Sequence, residues 1–273
     1  MDIRTLREKV SLTYKDEDRI TYLKVLDKAQ TAAKTWTYVC TDFLDPFKRA
    51  VVKDLLFQIK DVKYFEFGGY EKADRKSFVI MPEDFSEESA EIDRMFSLVS
   101  IIPVTGADSL THRDYLGAVM NLGIKREFFG DLLLNPKGCM IVGKKSVTET
   151  IHQSLTKVGK YSVNTRPESF DNIIVPEESF KELTESVSSL RLDCIVGAAF
   201  HLSRSEAAEL IKSGRAFVNY KETTDISKKI PENTLLSLRG YGKAEISEII
   251  GRNKKRPTAG QDQNLSIAIG RKI

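Results

Sequence analysis

The Arg-Leu-Asp sequence at residues 191–193 is the first candidate for chemistry. A carboxylate in this setting can be the catalytic group of an RNA-modifying enzyme. The alternative role for Asp193 is structural. An aspartate in the first turn of a helix interacts favourably with the helix dipole, by about 0.3–1 kcal/mol, and can orient a neighbouring arginine. The choice depends on the elements that hold Asp193.

A second candidate is the His-Arg-Asp sequence at residues 112–114, an order also found in the catalytic loop of protein kinases. A kinase needs an asparagine five residues after its aspartate to hold a metal ion. Position 119 is Val119, and Asn121 comes two residues late. The residues Thr111 to Asp114 therefore favour a helix cap over a kinase site.

Metal and cofactor sites are not expected. The cysteines and histidines are widely separated, and their spacing does not match a zinc site. They are Cys40, Cys139, Cys194, His112, His152 and His201. An odd number of distant cysteines is typical of reduced thiols in the cytoplasm. The "RGYGK" stretch at 239–243 lacks the strand, glycine-rich turn and helix of a nucleotide-binding fold.

Composition and charge restrict the class of protein. Of the 273 residues, 41% are apolar and 30% charged, which are ordinary values for a soluble globular protein. No apolar run approaches the roughly 20 residues needed to cross a bilayer, and the acidic start does not resemble a secretory signal. Residues 191–273 carry a net charge of +6, against −3 for residues 1–190. The basic third predicts a polyanion-binding end, although charge alone leaves open a merely solvated surface.

The periodicity of apolar residues predicts an α+β protein in several parts. In the first part, Asp45 and Pro46 favour a helix start. Strands alternate with two helices after about residue 61, which is typical of a small ferredoxin-like domain. The predicted domains are a mainly helical region at 1–75, a ferredoxin-like α+β domain at 76–182, a small α/β module of two packed helices and short strands at 183–251, and a basic tail at 252–273.

The module contains several weak motifs in register. Ser203 to Glu206 fits a capping box, and Gly214 fits a helix C-cap. Together with Arg191-Leu192-Asp193, "IKSGR" at 211–215 and Val218-Asn219, they resemble the RNA-binding module named for the fourth small-subunit ribosomal protein. Tyr220 departs from that module, which usually has glycine there, so we expect a longer or differently shaped turn.

In this module, two packed helices are expected to project basic side chains onto one face. Lysine and arginine attract RNA phosphates whatever the sequence. The predicted RNA contacts are Arg191, Arg204, Lys212, Arg215 and Lys221, extended by Arg239 and Lys243.

Pseudouridine synthases also place a catalytic aspartate in an Arg-Leu-Asp setting, and one large class has threonine three residues later. Here the residues after Asp193 are Cys, Ile, Val and Gly. Only 80 residues follow Asp193, too few for a synthase domain of the usual kind. A structural role in the first turn of a helix is therefore favoured.

The stretch "THRDYLGAVMNLGIKREFFGDLL" at 111–133 resembles the central signature of the YlmH proteins of Gram-positive bacteria, and the resemblance extends over nearly the whole chain. It implies a central RNA-binding domain. Within this stretch Arg113, Lys125 and Arg126 are candidates for a second RNA surface. The resemblance also implies a cytoplasmic, non-enzymatic factor that binds rRNA or tRNA on large ribosomal subunits still carrying peptidyl-tRNA, in ribosome-associated quality control, with a link to cell division. Membrane insertion is not expected, and the chain is expected to be a monomer.

Two other functions remain open from the sequence. One is an RNA-modifying enzyme with its site in the central domain, which would need a pocket around Asp114 and Asp131. The other is a scaffold for division proteins. Strand aromatics of the first two parts could stack on bases, but burial tendencies favour a core role. They are Tyr64, Phe65, Phe67, Tyr70 and Phe78.

Overall fold

The computed structural model describes residues 2–105, 109–176, 180–252 and 265–272. The chain divides into two compact units, residues 1–176 and 177–273. Each unit has its own buried core.

The first unit begins with helices on a small antiparallel sheet. The helices are α1 (Ile3–Thr13), α2 (Asp16–Thr35) and α3 (Pro46–Phe57). The strands β1 (Val39–Cys40), β2 (Val62–Phe67) and β3 (Ser77–Pro82) pair in the order β1-β3-β2. The predicted cap of α3 is confirmed, since Asp45 accepts a hydrogen bond from the Lys48 amide at 2.9 Å.

The structure corrects the predicted boundary between residues 75 and 76. That boundary separates β2 from β3, whose ladder runs from Val62–Pro82 to Phe67–Ser77. Backbone pairing therefore keeps residues 76–82 with the helical region.

The rest of the first unit is a five-stranded antiparallel sheet with two helices on one face. Its elements are α4 (Ile92–Met95), β4 (Phe96–Pro103), α5 (His112–Met120), β5 (Phe129–Asn135), β6 (Gly138–Lys144), α6 (Lys145–Ser154), β7 (Lys157–Val158) and β8 (Tyr161–Glu168). The strand order β5-β6-β4-β8-β7 contains the split β-α-β arrangement of a ferredoxin-like fold, as predicted. The helix α6 ends at Ser154, and Lys157 and Val158 pair with β8.

The second unit is a six-stranded antiparallel sheet with two helices packed on one face. The helices are α7 (Leu192–Phe200) and α8 (Arg204–Lys212). The strands are β9 (Phe180–Val187), β10 (Ala216–Val218), β11 (Lys221–Glu222), β12 (Thr234–Leu238), β13 (Gly242–Arg252) and β14 (Leu265–Lys272). Their order is β11-β10-β12-β13-β14-β9. The capping box of Ser203 and Glu206 is confirmed at the start of α8.

The predicted tail at 252–273 is wrong over residues 265–272, which form β14. This strand pairs with β13 on one side and with β9 on the other, so it lies inside the sheet. The module accordingly begins at Phe180, the first residue of β9, rather than at residue 183. The basic stretch at 253–264 lies outside the described residues.

Across the part of the chain that the structure describes, no helix is long and apolar enough to cross a membrane.

Candidate nucleic-acid interface

Asp193 lies in the first turn of α7 and is buried, with only 3% of its surface exposed. Arg191 donates to its two oxygens from Nε at 3.1 Å and from NH2 at 3.2 Å. Arg204 Nε donates to it at 3.0 Å, and so does the Cys194 amide. The carboxylate therefore anchors two arginines, one more than the sequence suggested.

Burial alone would raise the pKa of Asp193. The hydrogen bonds and charges of Arg191 and Arg204 outweigh that effect and hold the pKa below its ordinary value. The carboxylate is thus ionised at neutral pH, and both its oxygens accept hydrogen bonds from the two arginines. The arginines keep solvent exposure, 36% of the side chain for Arg191 and 59% for Arg204. This arrangement presents two oriented guanidinium groups to a ligand from one buried anchor.

The outer sheet face of the second unit lies opposite the helices. Ala216, Val218 and Leu236 are buried under α7 and α8. Strand alternation points Phe217 to the other side, in a cross-strand row with Ser237 and Lys243.

Two cations of the outer sheet face lie over aromatic rings. The Arg239 guanidinium carbon is 4.9 Å from the centroid of Phe217, and Lys243 Nζ is 5.2 Å from that of Tyr220. Arg215 is exposed, and its NH2 donates to the Arg239 carbonyl at 2.8 Å, which holds the two segments together. Attraction between a cation and an aromatic face is worth about 0.5–1 kcal/mol at exposed sites.

Tyr220 adopts the backbone conformation that glycine would favour. Asn219 and Tyr220 have φ of 48° and 66°, and Val218 pairs directly with Lys221 across them. The expectation of a longer or differently shaped turn is therefore wrong, because the chain keeps a two-residue hairpin with positive φ at both positions. Asn219 supports it by accepting a hydrogen bond from the Leu235 amide at 2.9 Å. A bulky residue in this region costs roughly 1–2 kcal/mol.

The predicted RNA contacts thus lie in two groups rather than on one helical face. Arg191 and Arg204 are held by Asp193, whereas Arg239 and Lys243 belong to the outer sheet face, with Arg215 beside them. Lys212, in the last turn of α8, and Lys221, at the start of β11, are both exposed.

Sequence reasoning missed Phe217 and Tyr220. The alternation in "AFV" at 216–218 was a usable signal, because buried neighbours on both sides force Phe217 outward.

The second predicted RNA surface is only partly exposed. Arg113 and Lys125 are exposed, but Arg126 turns inward. Its NH1 donates to the carbonyls of Phe129 and Gly130, both at 2.8 Å. Burial lowers the pKa of Arg126, and the nearby charge of Arg75 lowers it further. The assignment of Arg126 as an RNA contact is therefore corrected, since its NH1 is held by two backbone carbonyls.

The carboxylates that an enzyme in the central domain would need have structural partners. Asp114 accepts hydrogen bonds from the amide and hydroxyl of Thr111, at 2.8 and 2.7 Å, and caps α5. Asp131 accepts from the Tyr70 hydroxyl at 2.9 Å and from the Asp74 amide at 2.7 Å. Within the described ranges, no three histidine, cysteine or acidic side chains gather as a metal site would require.

Comparison with known proteins gives three results. Residues 17–85 match the family model "YlmH, N-terminal", and residues 92–172 match "Putative RNA-binding domain in YlmH". The chain is 28% identical over 245 residues to "Ribosome-associated protein quality control protein P2" of Bacillus subtilis (strain 168), covering 89% of this chain and 93% of that protein. A solved structure of "Cell division protein ylmH from Streptococcus pneumoniae" is 23% identical, with a TM-score of 0.49, over 59% of this chain and 96% of that one.

Proposed function

Because the chain belongs to the YlmH family, we propose that it is a cytoplasmic, non-enzymatic RNA-binding factor that acts on the ribosome. The name of the Bacillus subtilis relative, which shares nearly the full length, supports association with the ribosome. The family model over residues 92–172 supports a role for the first unit in RNA binding.

The observation that carries this proposal is that both carboxylate oxygens of Asp193 are hydrogen-bonded to arginines. A catalytic carboxylate must reach a substrate atom. Asp193 instead gives both oxygens to Arg191 and Arg204, which remain partly exposed. Oriented guanidinium groups suit phosphate recognition, because their N–H donors match two phosphate oxygens at once.

The target we propose is the large ribosomal subunit that still carries peptidyl-tRNA, with rRNA or tRNA as the contacted polymer. The second unit alone would neutralise few phosphates and should bind weakly. The first unit would add a second site through Arg113 and Lys125. Two weak sites on one chain raise avidity by roughly 10²–10⁴ when both fit the target.

A charge-reversal experiment on the full chain tests RNA binding. Arg215→Glu with Lys221→Glu should lower affinity for purified large subunits about tenfold, with the loss greatest at low salt. Arg204 is avoided, because a glutamate there would face Asp193. The matched control is Lys9→Glu with Lys60→Glu, which makes the same charge change at exposed positions of the first unit. Equal binding by both double variants in a pelleting assay would reject the proposed interface.

The non-enzymatic part is tested separately by mass spectrometry of rRNA and tRNA from cells lacking the gene. Complementation with the unchanged chain or with Asp193→Asn should give the same nucleotide modifications. A modified nucleotide that disappears with the gene and returns only with the unchanged chain would make Asp193 a catalyst.

A further inference from the structure

We propose that Tyr220 and the Phe217–Arg239 pair form a stacking site for unpaired RNA bases on the outer sheet face. This inference rests on the proposed RNA-binding function and specifies the ligand: a single-stranded or bulged segment rather than a continuous duplex.

The first support is the position of Phe217. Its strand neighbours Ala216 and Val218 are buried under the helices, so its ring projects from the opposite side of the sheet. Arg239 lies over the ring at 4.9 Å and is itself exposed. A guanidinium group is planar, so one of its faces can rest on Phe217 while the other receives a base.

The second support is the strained backbone of Tyr220. Its φ of 66° suits glycine, yet the position carries a large aromatic ring with Lys243 Nζ 5.2 Å from its centroid. Side chains held in such rarely occupied conformations concentrate at ligand-binding positions, where the surrounding structure maintains them. The Tyr220 ring lies beside Lys243, and Lys243 belongs to the same cross-strand row as Phe217.

The chemistry of the surface selects nucleotides with accessible faces. Aromatic rings and guanidinium planes stack on bases, while the neighbouring cations attract the phosphates that connect them. Bases inside a duplex already stack on one another and cannot enter such a site. Glu222 and Glu245 lie at register positions of the same face, so the phosphates would pass on the side of Arg215, Arg239 and Lys243.

The decisive variant is Tyr220→Gly in the full chain, because it removes the ring at a position where glycine fits the backbone better. Binding is measured to a single-stranded oligouridine of roughly ten nucleotides and to a blunt RNA duplex of the same length. We expect binding to the single strand to weaken about fivefold or more, binding to the duplex to change less than about twofold, and the melting temperature to stay equal or rise.

The matched control is Asn233→Gly. Asn233 also has a positive φ, of 56°, so this change makes a similar backbone adjustment and leaves both rings in place. It should leave both affinities unchanged. A second variant, Arg239→Lys, keeps the charge but removes the planar group. It should weaken binding to the single strand more than binding to the duplex.

The possible results separate the two proposals. If Tyr220→Gly and Arg239→Lys bind the single strand as tightly as the unchanged chain, stacking is overturned and RNA binding stands. Equal losses of affinity for the single strand and for the duplex also overturn stacking, because they indicate phosphate contacts alone. If the unchanged chain binds neither RNA, stacking is overturned, and the pelleting assay with large subunits separately decides the proposed function.

Discussion

Aromatic residues on strands serve different purposes in the two units. In the first unit Phe78 is fully buried, and Phe67 stacks on Phe96 with centroids 4.8 Å apart. The prediction that the strand aromatics of this region form core is confirmed for Phe78, whereas Tyr64, Phe65, Phe67 and Tyr70 are half-buried and pack against the buried clusters. In the second unit Phe217 and Tyr220 lie next to cations on the outer sheet face.

The difference comes from what packs on each face of the sheets. The central sheet has α5 and α6 on one face, and side chains of the helical region, such as Phe43 and Val79, join the core on the other. In the described part of the second unit, α7 and α8 pack against one face only. Period-two alternation gives the same sequence pattern in both cases, so the neighbouring elements decide whether an aromatic residue becomes core or a binding surface.

The largest effect expected from this comparison is on stability. Phe78→Ala should destabilise the first unit by about 4 kcal/mol, because it leaves a cavity in a closed core. Phe217→Ala should cost the second unit only about 1 kcal/mol, since its ring is partly exposed. Urea unfolding can follow the first unit by fluorescence of Trp36, the single tryptophan of the chain, and the second by hydrogen exchange of β12. Similar losses for both substitutions would contradict the comparison.

A smaller loss of stability is expected for Asp193→Asn, which leaves Arg191 and Arg204 without their buried anion. Removing one member of a buried ion pair costs about 3–5 kcal/mol. The exposure of the two arginines reduces this to about 2 kcal/mol. This value exceeds the roughly 1 kcal/mol or less expected from the sequence, which suggested a helix-dipole interaction and one neighbouring arginine rather than two. Trp36 fluorescence should report an unchanged first unit. A loss below about 0.5 kcal/mol would mean that the anchor contributes little.

The smallest effect is a pH dependence. Hydrogen bonds from Arg191 and Arg204, together with their charges, depress the folded pKa of Asp193 despite its burial. Its stabilisation is therefore fully present above the unfolded pKa of about 3.9 and is lost as the pH falls through the lower folded value. Between about pH 5 and pH 2, the second unit of Asp193→Asn should lose less stability than that of the unchanged chain. Glu206 and Asp225, whose pKa values are also lowered, titrate in both proteins. Identical pH profiles would exclude a contribution from Asp193.

Local signals in the sequence were sufficient for several features. The helix cap predicted at Thr111 and the capping box predicted at Ser203 depend on residues three positions apart, and the structure has both. The ferredoxin-like order followed from alternating strands and helices. These features involve near neighbours or a common topology, which a single sequence encodes directly.

Features that depend on distant partners were missed. The inward turn of Arg126 depends on carbonyl groups whose orientation appears only once β5 is folded. The pairing of β14 with β9 joins the two ends of the second unit, with α7, α8 and the strands β10 to β13 between them in the chain. The tight turn at Tyr220 was missed for another reason, because the strain of a non-glycine residue argued against the conformation that the flanking strands impose.

The place of β14 in the sheet affects how the second unit forms during synthesis. Residues 180–187 leave the ribosome early, but their pairing partner, residues 265–272, is made only after the helices and the strands β10 to β12. The nearby contacts of α7, α8 and the short hairpins can form quickly, whereas a ladder between distant segments must wait. Phe217, Tyr220 and Arg239 are therefore made before the sheet that carries them is complete, and β9 has no strand partner in the described sheet until β14 is made.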